Sequence, residues 1–273
     1  MLSWWQLPVG FALAGLIAAL AYWRGSLSRS GAAGAVLIGT TIFGLGGWAP
    51  GTLLVLFFVS SSALSHFKEQ RKAALAEKFS KGSRRDLAQT LANGGAGALI
   101  LVANTLWPHP FWWAAYVGAL ATVNADTWAT ELGVLNRARP RLITTLRPVE
   151  AGTSGGVSVT GTLAALGGAA LIALTAAGFH LAGGSGLGPA AALAVAGTLA
   201  GLSGSLIDSA LGATVQAIYF CDACAKETER FPRHLCGTPT RPLRGWPWLD
   251  NDWVNGLSSV LGALLAGLLS ALL

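Results

Sequence analysis

Residues 189–216 read PAAALAVAGTLAGLSGSLIDSALGATVQ. The first half is apolar and built from small side chains. The second half carries Ser205, Ser209, Gly212 and Gln216 at i, i+4, i+7 and i+11, with Asp208 beside that stripe. A run of this length and hydropathy crosses the roughly 30 Å hydrocarbon core of a bilayer as one helix. A carboxylate inside such a helix is costly, so it marks a functional hypothesis by default. Composition makes the same reading general. Of 273 residues, 53% are hydrophobic and only 11% charged, against roughly 25% charged in a soluble domain. One soluble core could not hide that much apolar surface. A soluble enzyme, a disordered tail and a secreted disulfide scaffold are therefore excluded. The chain is expected to be a single polytopic membrane domain over residues 1–273, an all-α helix bundle.

Scanning outward with a window of roughly 19 residues adds seven further spans, at 4–22, 31–47, 50–66, 88–106, 110–131, 157–180 and 254–273. The first lacks the cleavage site of a signal peptide and is read as a retained helix. All 18 Lys and Arg residues fall in the connections after helices 1, 3, 5 and 7. The seven after helix 3 include Lys68, Arg71 and Lys72, and the four after helix 5 include Arg137. The opposite connections, GGWAPG, WPHP and AGGSGLG, hold none. A miscounted helix would scatter the charges to both sides, so the pattern predicts eight helices with both termini outside and the basic connections in the cytoplasm. The net charge of +6 then reflects topology and attraction to anionic lipid rather than nucleic acid. Ten of the 11 Trp residues, from Trp4 to Trp253, lie near helix ends as an interfacial belt; Trp128 is the exception. His66, His109 and His180 also lie at helix ends or in short loops and read as interfacial.

Polar residues gather toward the basic ends of four helices. In RRDLAQTLANGG (84–95), Arg85, Gln89 and Asn93 share one helical face. In NADTWATELG (124–133), Asn124, Thr127 and Glu131 form one face and Thr122, Asp126 and Thr130 nearly the opposite one. A helix polar on both faces must sit inside the bundle or unwind there. DNDWVNGLSS (250–259) aligns Asp252, Asn255 and Ser259. Interhelical hydrogen bonding would explain one such motif; four at one depth favour a site. Asp126 and Asp208 are expected to hold Mg²⁺, with Glu131 and Asp252 as further carboxylate candidates. The connection RPVEAGTSGGVSVTG (147–161) places Thr153, Ser154, Gly155 and Gly156 before a helix N-terminus, which favours an anion, though it is not a Walker A sequence. Arg84, Arg85 and Arg147 are candidate partners for phosphate oxygens, with Gln89, Asn93, Asn124, Ser209 and Asn255 as polar candidates around them. Together these read as a phosphate–magnesium site on the cytoplasmic face.

The connection between helices 7 and 8 runs about 35 residues, long for an unstructured loop. Within the insertion 219–252 it holds every cysteine of the chain, as Cys221-x2-Cys224, and then His234 and Cys236. A Cys3His set suits a tetrahedral Zn²⁺ in a reducing compartment, and four protein ligands close the shell, so its role would be structural.

Taken in order, RRDLAQTLANGG, NADTWATELG, PRLITTLRPVEAGTSGGVSVTGT, GSLIDSALGATVQ, the CDAC and HLC pair and NDWVNGLSS, all within 84–259, resemble an integral-membrane family first catalogued as domain of unknown function 92. That family includes plant and cyanobacterial phytyl-phosphate kinases. The resemblance implies phosphoryl transfer from a nucleoside triphosphate, CTP in chlorophyll-phytol salvage, to a prenyl monophosphate, giving a prenyl diphosphate. The chain would then sit in the cell (inner) membrane and meet nucleotide and lipid at its cytoplasmic face.

The residues agree with that on one point. No His or Lys lies within the polar motifs to deprotonate an alcohol, whereas a prenyl monophosphate is already an anionic nucleophile that needs only positioning and charge neutralisation; Asp126 or Glu131 could still serve as a base. Two rivals share part of the pattern. A CTP-dependent lipid cytidylyltransferase would use a similar Mg²⁺–carboxylate site and release pyrophosphate. A transporter would need polar groups continuing to the outer leaflet, where this chain is apolar.

Overall fold

The computed structural model describes residues 5–67, 78–82, 84–136 and 138–273; Trp4, Lys68, Arg71, Lys72 and Arg137 lie outside the described residues. Among them run eight helices: α1 (Gln6–Trp23), α2 (Arg29–Gly46), α3 (Trp48–His66), α4 (Leu87–Leu106), α5 (Pro110–Gly133), α6 (Val159–Ala182), α7 (Leu187–Thr214) and α8 (Asn251–Leu272). Each overlaps one expected span. Helix starts are fixed by side-chain caps that accept otherwise unpaired backbone N–H groups. Ser28, Asp86, Ser158 and Asp250 cap α2, α4, α6 and α8. Asp250 therefore starts α8 three residues before the apolar run at 254. The polar end of α5 does not unwind; it stays helical to Gly133.

Helices α1, α3, α6, α7 and α8 are long and apolar enough to cross a membrane by length and composition. The packing is that of a membrane bundle. Leu16, Leu20, Leu99, Leu163, Leu174 and Leu268 are all more than half exposed, while the helix contacts are made largely by Ala and Gly. Small residues let backbones close in where lipid supplies no hydrophobic drive between helices.

α5 is the axis. Every residue from Ala114 to Ala125 is buried, and α5 packs against α3, α4, α6, α7 and α8. A Cβ added to Gly118 would lie 2.5 Å from the Gly262 carbonyl oxygen of α8, and one added to Gly201 of α7 would lie 2.7 Å from the Ala121 Cβ. On the other side, α1 packs along α2, and α2 packs on α4 and α3. The Tyr116 hydroxyl donates to the Pro50 carbonyl at 2.7 Å, joining α5 to the start of α3.

The four basic connections bond to one another at one end of the bundle. The Ser28 N–H donates to the Arg85 carbonyl at 2.9 Å and the Glu229 N–H to the Lys78 carbonyl at 2.9 Å. Arg244 Nη1 donates to the Gly212 carbonyl at 2.6 Å, and Nη2 to that of Ser154 at 3.4 Å. Here the all-α expectation is corrected. Short strands β1 (Arg141–Leu142) and β2 (Gly156–Val157) pair antiparallel, and β3 (Ile218–Cys221), β4 (Lys226–Thr228) and β5 (Arg241–Arg244) form an antiparallel sheet in the order β4-β3-β5. The backbone there leaves the helices and must find other partners, and Ile218, Tyr219 and Phe220 are residues that favour a pleated surface.

Gly262→Ala tests the central seam. Its new Cβ would strike the Thr122 hydroxyl, so the variant should lose about 1–3 kcal/mol, the usual cost of overpacking, and melt earlier in detergent. Gly256→Ala, where the nearest atom is 4.0 Å from the added Cβ, should melt no earlier than the unaltered protein. Equal melting of the two variants would show that the helices part without cost.

Candidate active site

A cavity of about 270 Å³ opens at the basic end, among α4, α5, α6, α7, α8 and the connections that cover them. The last two turns of α5 contribute Asp126, Thr127, Thr130 and Glu131, and α7 contributes Ser205, Asp208, Ser209 and Gly212. Asp126 lies close enough to Ser205 and Asp208 to interact electrostatically with both. Asp208 Oδ2 accepts from the Ser258 hydroxyl of α8 at 3.0 Å, and Glu131 Oε1 from the Ser65 hydroxyl of α3 at 2.6 Å. Neighbouring helices thus orient these two carboxylates, each through a hydroxyl.

The polarity of α5 divides along the helix rather than around it. Asn124, two residues before the first cavity residue of α5, is fully buried and outside the cavity. Its Nδ2 donates to the Gly168 carbonyl of α6 at 2.8 Å, and its Oδ1 accepts from the hydroxyls of Ser60 (3.0 Å) and Ser61 (3.4 Å). Asn124 therefore ties three helices together.

Arg85, Gln89 and Asn93 line the cavity together, as do Thr153, Ser154, Gly155, Gly156 and Asn255. Asp86 and Gln89 form a capping box, with the Gln89 N–H donating to Asp86 Oδ1 at 2.9 Å and Gln89 Oε1 accepting from the Asp86 N–H at 3.1 Å. The glycine connection presses on α7: Gly155 has φ +83°, and a Cβ there would overlap Ala213. Its Thr153 and Gly156 N–H groups close turns onto the Glu150 and Thr153 carbonyls. The N-termini of α4, α6 and α8 all border the cavity, through Gln89, Ser158 and Asn251, so three positive dipole ends meet there.

Among the described residues Arg85 is the sole Lys or Arg of the lining. Its guanidinium carbon lies 5.4 Å from the Phe57 ring centre and 5.7 Å from that of Phe58. Burial pulls its pKa down to about 10, against the raising effect of the Glu131 charge, so it remains a cation at neutral pH. The other expected residues lie elsewhere. Arg84 donates from Nε to the Leu27 carbonyl at 3.0 Å and stacks on Tyr22. Arg147 is exposed on the connection. Asp252 pairs with Lys81, which also reaches Asp86 at 2.9 Å; it links the starts of α4 and α8, while Asn251 and Asn255 beside it line the cavity.

A fourth cavity carboxylate, Glu229, has no counterpart in the sequence reading. It lies one residue beyond β4. Its Oε1 accepts from Gln216 Nε2 at 2.9 Å and from the Ser154 hydroxyl at 3.1 Å, and its Oε2 from the Ser80 N–H at 3.3 Å. Burial pushes its pKa up and these donors pull it back. The sheet that carries it also carries a Cys3His group. One ligand atom from each of Cys221, Cys224, His234 and Cys236 falls within 4.8 Å of the others, and the Cys221 and Cys236 sulfurs are 3.6 Å apart. A tetrahedron with metal–sulfur bonds of about 2.3 Å has edges of about 3.8 Å, so the group fits a metal ion. His234 Nε2 is buried without a partner.

Glu229→Ala would leave the Gln216, Ser154 and Ser80 donors facing no acceptor. The expected loss is about 1–3 kcal/mol, with faster amide hydrogen exchange across residues 152–156. Unchanged exchange there would show that Glu229 does not hold the glycine connection.

Residues 12–263 match the family described as Integral membrane protein DUF92. The chain is 37% identical to Protein PGR of Arabidopsis thaliana, over 94% of each chain. It is 34% identical to an uncharacterized membrane protein of Methanocaldococcus jannaschii, over 68% of this chain and 74% of that one. Its identity to the chloroplastic Protein VTE6 of Arabidopsis thaliana is 28%, over 88% of this chain and 64% of that protein. No solved structure matches. From residue 12 to residue 263, then, the chain belongs to the DUF92 family of integral membrane proteins.

Proposed function

We propose that the protein is a membrane prenyl-phosphate kinase, transferring the terminal phosphoryl group of a nucleoside triphosphate, with CTP as the expected donor, to a prenyl monophosphate. The carrying observation is the charge of the cavity: Asp126, Glu131, Asp208 and Glu229 face it with Arg85 as their lone basic counterpart among the described residues. A triphosphate meeting that wall would be repelled unless divalent cations came with it. Asp126 and Asp208, on facing helices, are the pair we assign to Mg²⁺. When bound there, the ion would neutralise phosphate charge. Arg85 and the N-termini of α4, α6 and α8 would hold the phosphates. An oxygen of the prenyl phosphate attacks the γ-phosphorus, the bond to the β-phosphate bridging oxygen breaks, and a nucleoside diphosphate leaves. The nucleophile is already anionic, so no general base is required. The resemblance across residues 84–259 to a family that includes phytyl-phosphate kinases supports the lipid class and the nucleotide.

The same reading places eight helices across the cell membrane, with both termini outside and the cavity on the cytoplasmic face. Four basic connections at one end fit the positive-inside rule, and a nucleotide would enter from that side. We assign Zn²⁺ to the Cys3His group within a cytoplasmic insertion spanning 219–252. Four protein ligands make its role structural.

Asp126→Asn and Asp208→Asn should each lower turnover by at least about 100-fold, the scale of losing one electrostatic group at a reaction centre, in protein that still melts cooperatively. The assay supplies labelled nucleoside triphosphates and prenyl monophosphates to the protein in lipid and follows nucleoside diphosphate and prenyl diphosphate. Near-normal turnover of either variant at saturating Mg²⁺ would remove that residue as a ligand, and release of pyrophosphate would identify nucleotidyl transfer instead.

Purified protein should contain one zinc per chain, and Cys221→Ser/Cys224→Ser should contain none. All three cysteines lie in the clip, so a membrane-impermeant maleimide should label inside-out vesicles after chelation and spare sealed right-side-out ones. Labelling of right-side-out vesicles would reverse the topology.

A further inference from the structure

A second, apolar cleft of about 70 Å³ adjoins the carboxylate cavity, and nothing proposed so far uses it. α1, α2, α3 and α4 enclose it, with Ile17, Ile38, Phe43, Leu54, Val55 and Phe58 among its walls. Its polar end is made by Arg85, Gln89 and Asn93, and these three residues also line the carboxylate cavity. The two spaces therefore meet at these three side chains, which form the neck between them. One side of the neck is hydrocarbon and the other is lined by carboxylates, with the Arg85 guanidinium set against the Phe57 and Phe58 rings between them. α1 packs along α2, and α3 packs on α2, α5 and α6, while Phe58 alone of α3 reaches the Ala18–Ala21–Leu27 cluster. The α1–α3 side is therefore the least closed wall and the side on which we place the route to the bilayer.

We propose that this cleft seats the phosphate-proximal isoprene units of the lipid substrate, with the lipid phosphate at Arg85 in the neck. The proposal rests on the kinase reading and adds to it where the lipid enters and lies. A phosphate held by Arg85 has its ester oxygen at the neck, so the attached chain leaves through one space or the other. The carboxylate cavity would strip the chain from hydrocarbon and set it among charges. The cleft continues the hydrocarbon environment from which the chain comes. A space of about 70 Å³ receives only the start of a long chain, and the remainder extends between α1 and α3 into the bilayer. The site should therefore discriminate bulk close to the phosphate and be indifferent to length beyond it.

The test uses the full chain in nanodiscs and a geranylgeranyl monophosphate carrying a diazirine on its first isoprene unit. Peptide mapping after irradiation should place the label on α2 and α3 around Phe43 and Leu54–Phe58. Unlabelled geranylgeranyl monophosphate should compete, and geranylgeraniol, which lacks the phosphate, should not. Val55→Trp, which fills the cleft and leaves the cavity residues untouched, should reduce labelling and raise KM for the lipid at least tenfold with little change in kcat; Ala35→Leu repeats the test from α2. Competed label in the cleft without phosphoryl transfer from any nucleotide would uphold the lipid site and defeat the kinase reading. Transfer with the label elsewhere, or with no competed label, would overturn the cleft while leaving the kinase reading in place.

Discussion

Burying carboxylates in an apolar bundle is the constraint on which this structure turns. Asp126, Glu131 and Asp208 cannot face lipid, so α5 has to run through the middle of the bundle with α7 close beside it. That closeness requires small residues on the contact faces, which Gly118, Gly201 and Gly262 supply. It also requires hydroxyl donors on the neighbours, and Ser65 of α3 and Ser258 of α8 donate to Glu131 and Asp208. The glycine content of the chain and the position of its site are two consequences of one packing problem.

Hydropathy and charge made the helices legible, because a membrane imposes a minimum length on each span and a sign on each connection. Helical spacing put Gln89 and Asn93 on one face of α4, whereas Arg85 precedes the Asp86 cap and bridges to Leu27, so it reaches the same cavity from outside the helix. Depth was not legible. Asn124 and Glu131 share a helical face, yet seven residues of helix separate them by about 10 Å, enough for one to bind helices together and the other to line the cavity. Nor could spacing divide two adjacent arginines: Arg85 sits at the neck between the two cavities, and Arg84 turns away to the Leu27 carbonyl.

Glu229 shows a different limit. It sits in a connection with no helical period, and its place depends on a β-sheet that also brings Cys221 near Cys224, His234 and Cys236. A sequence pattern can suggest the clip. It gives no sign of which neighbouring side chain the sheet delivers to a distant cavity.

That delivery changes what a structural metal means here. The sheet that bears the Cys3His group carries Glu229 into the cavity, where it accepts from Ser154 and Gln216, and places Arg244 on the Gly212 and Ser154 carbonyls. Together these bonds tie the glycine connection, through the sheet, to the end of α7 beside Asp208 and Ser209. A metal with a closed ligand shell has no open position for substrate, yet in this chain it would set the geometry of the cavity wall through two ordinary side chains. The glycine connection pairs with β1 through Gly156 and Val157 and closes short turns through its Thr153 and Gly156 N–H groups; the three-stranded sheet adds its link to α7. The clip and the carboxylates would thus act as one mechanical unit, although 13 positions of sequence separate Asp208 from Cys221 and the boundary between helix and sheet lies between them.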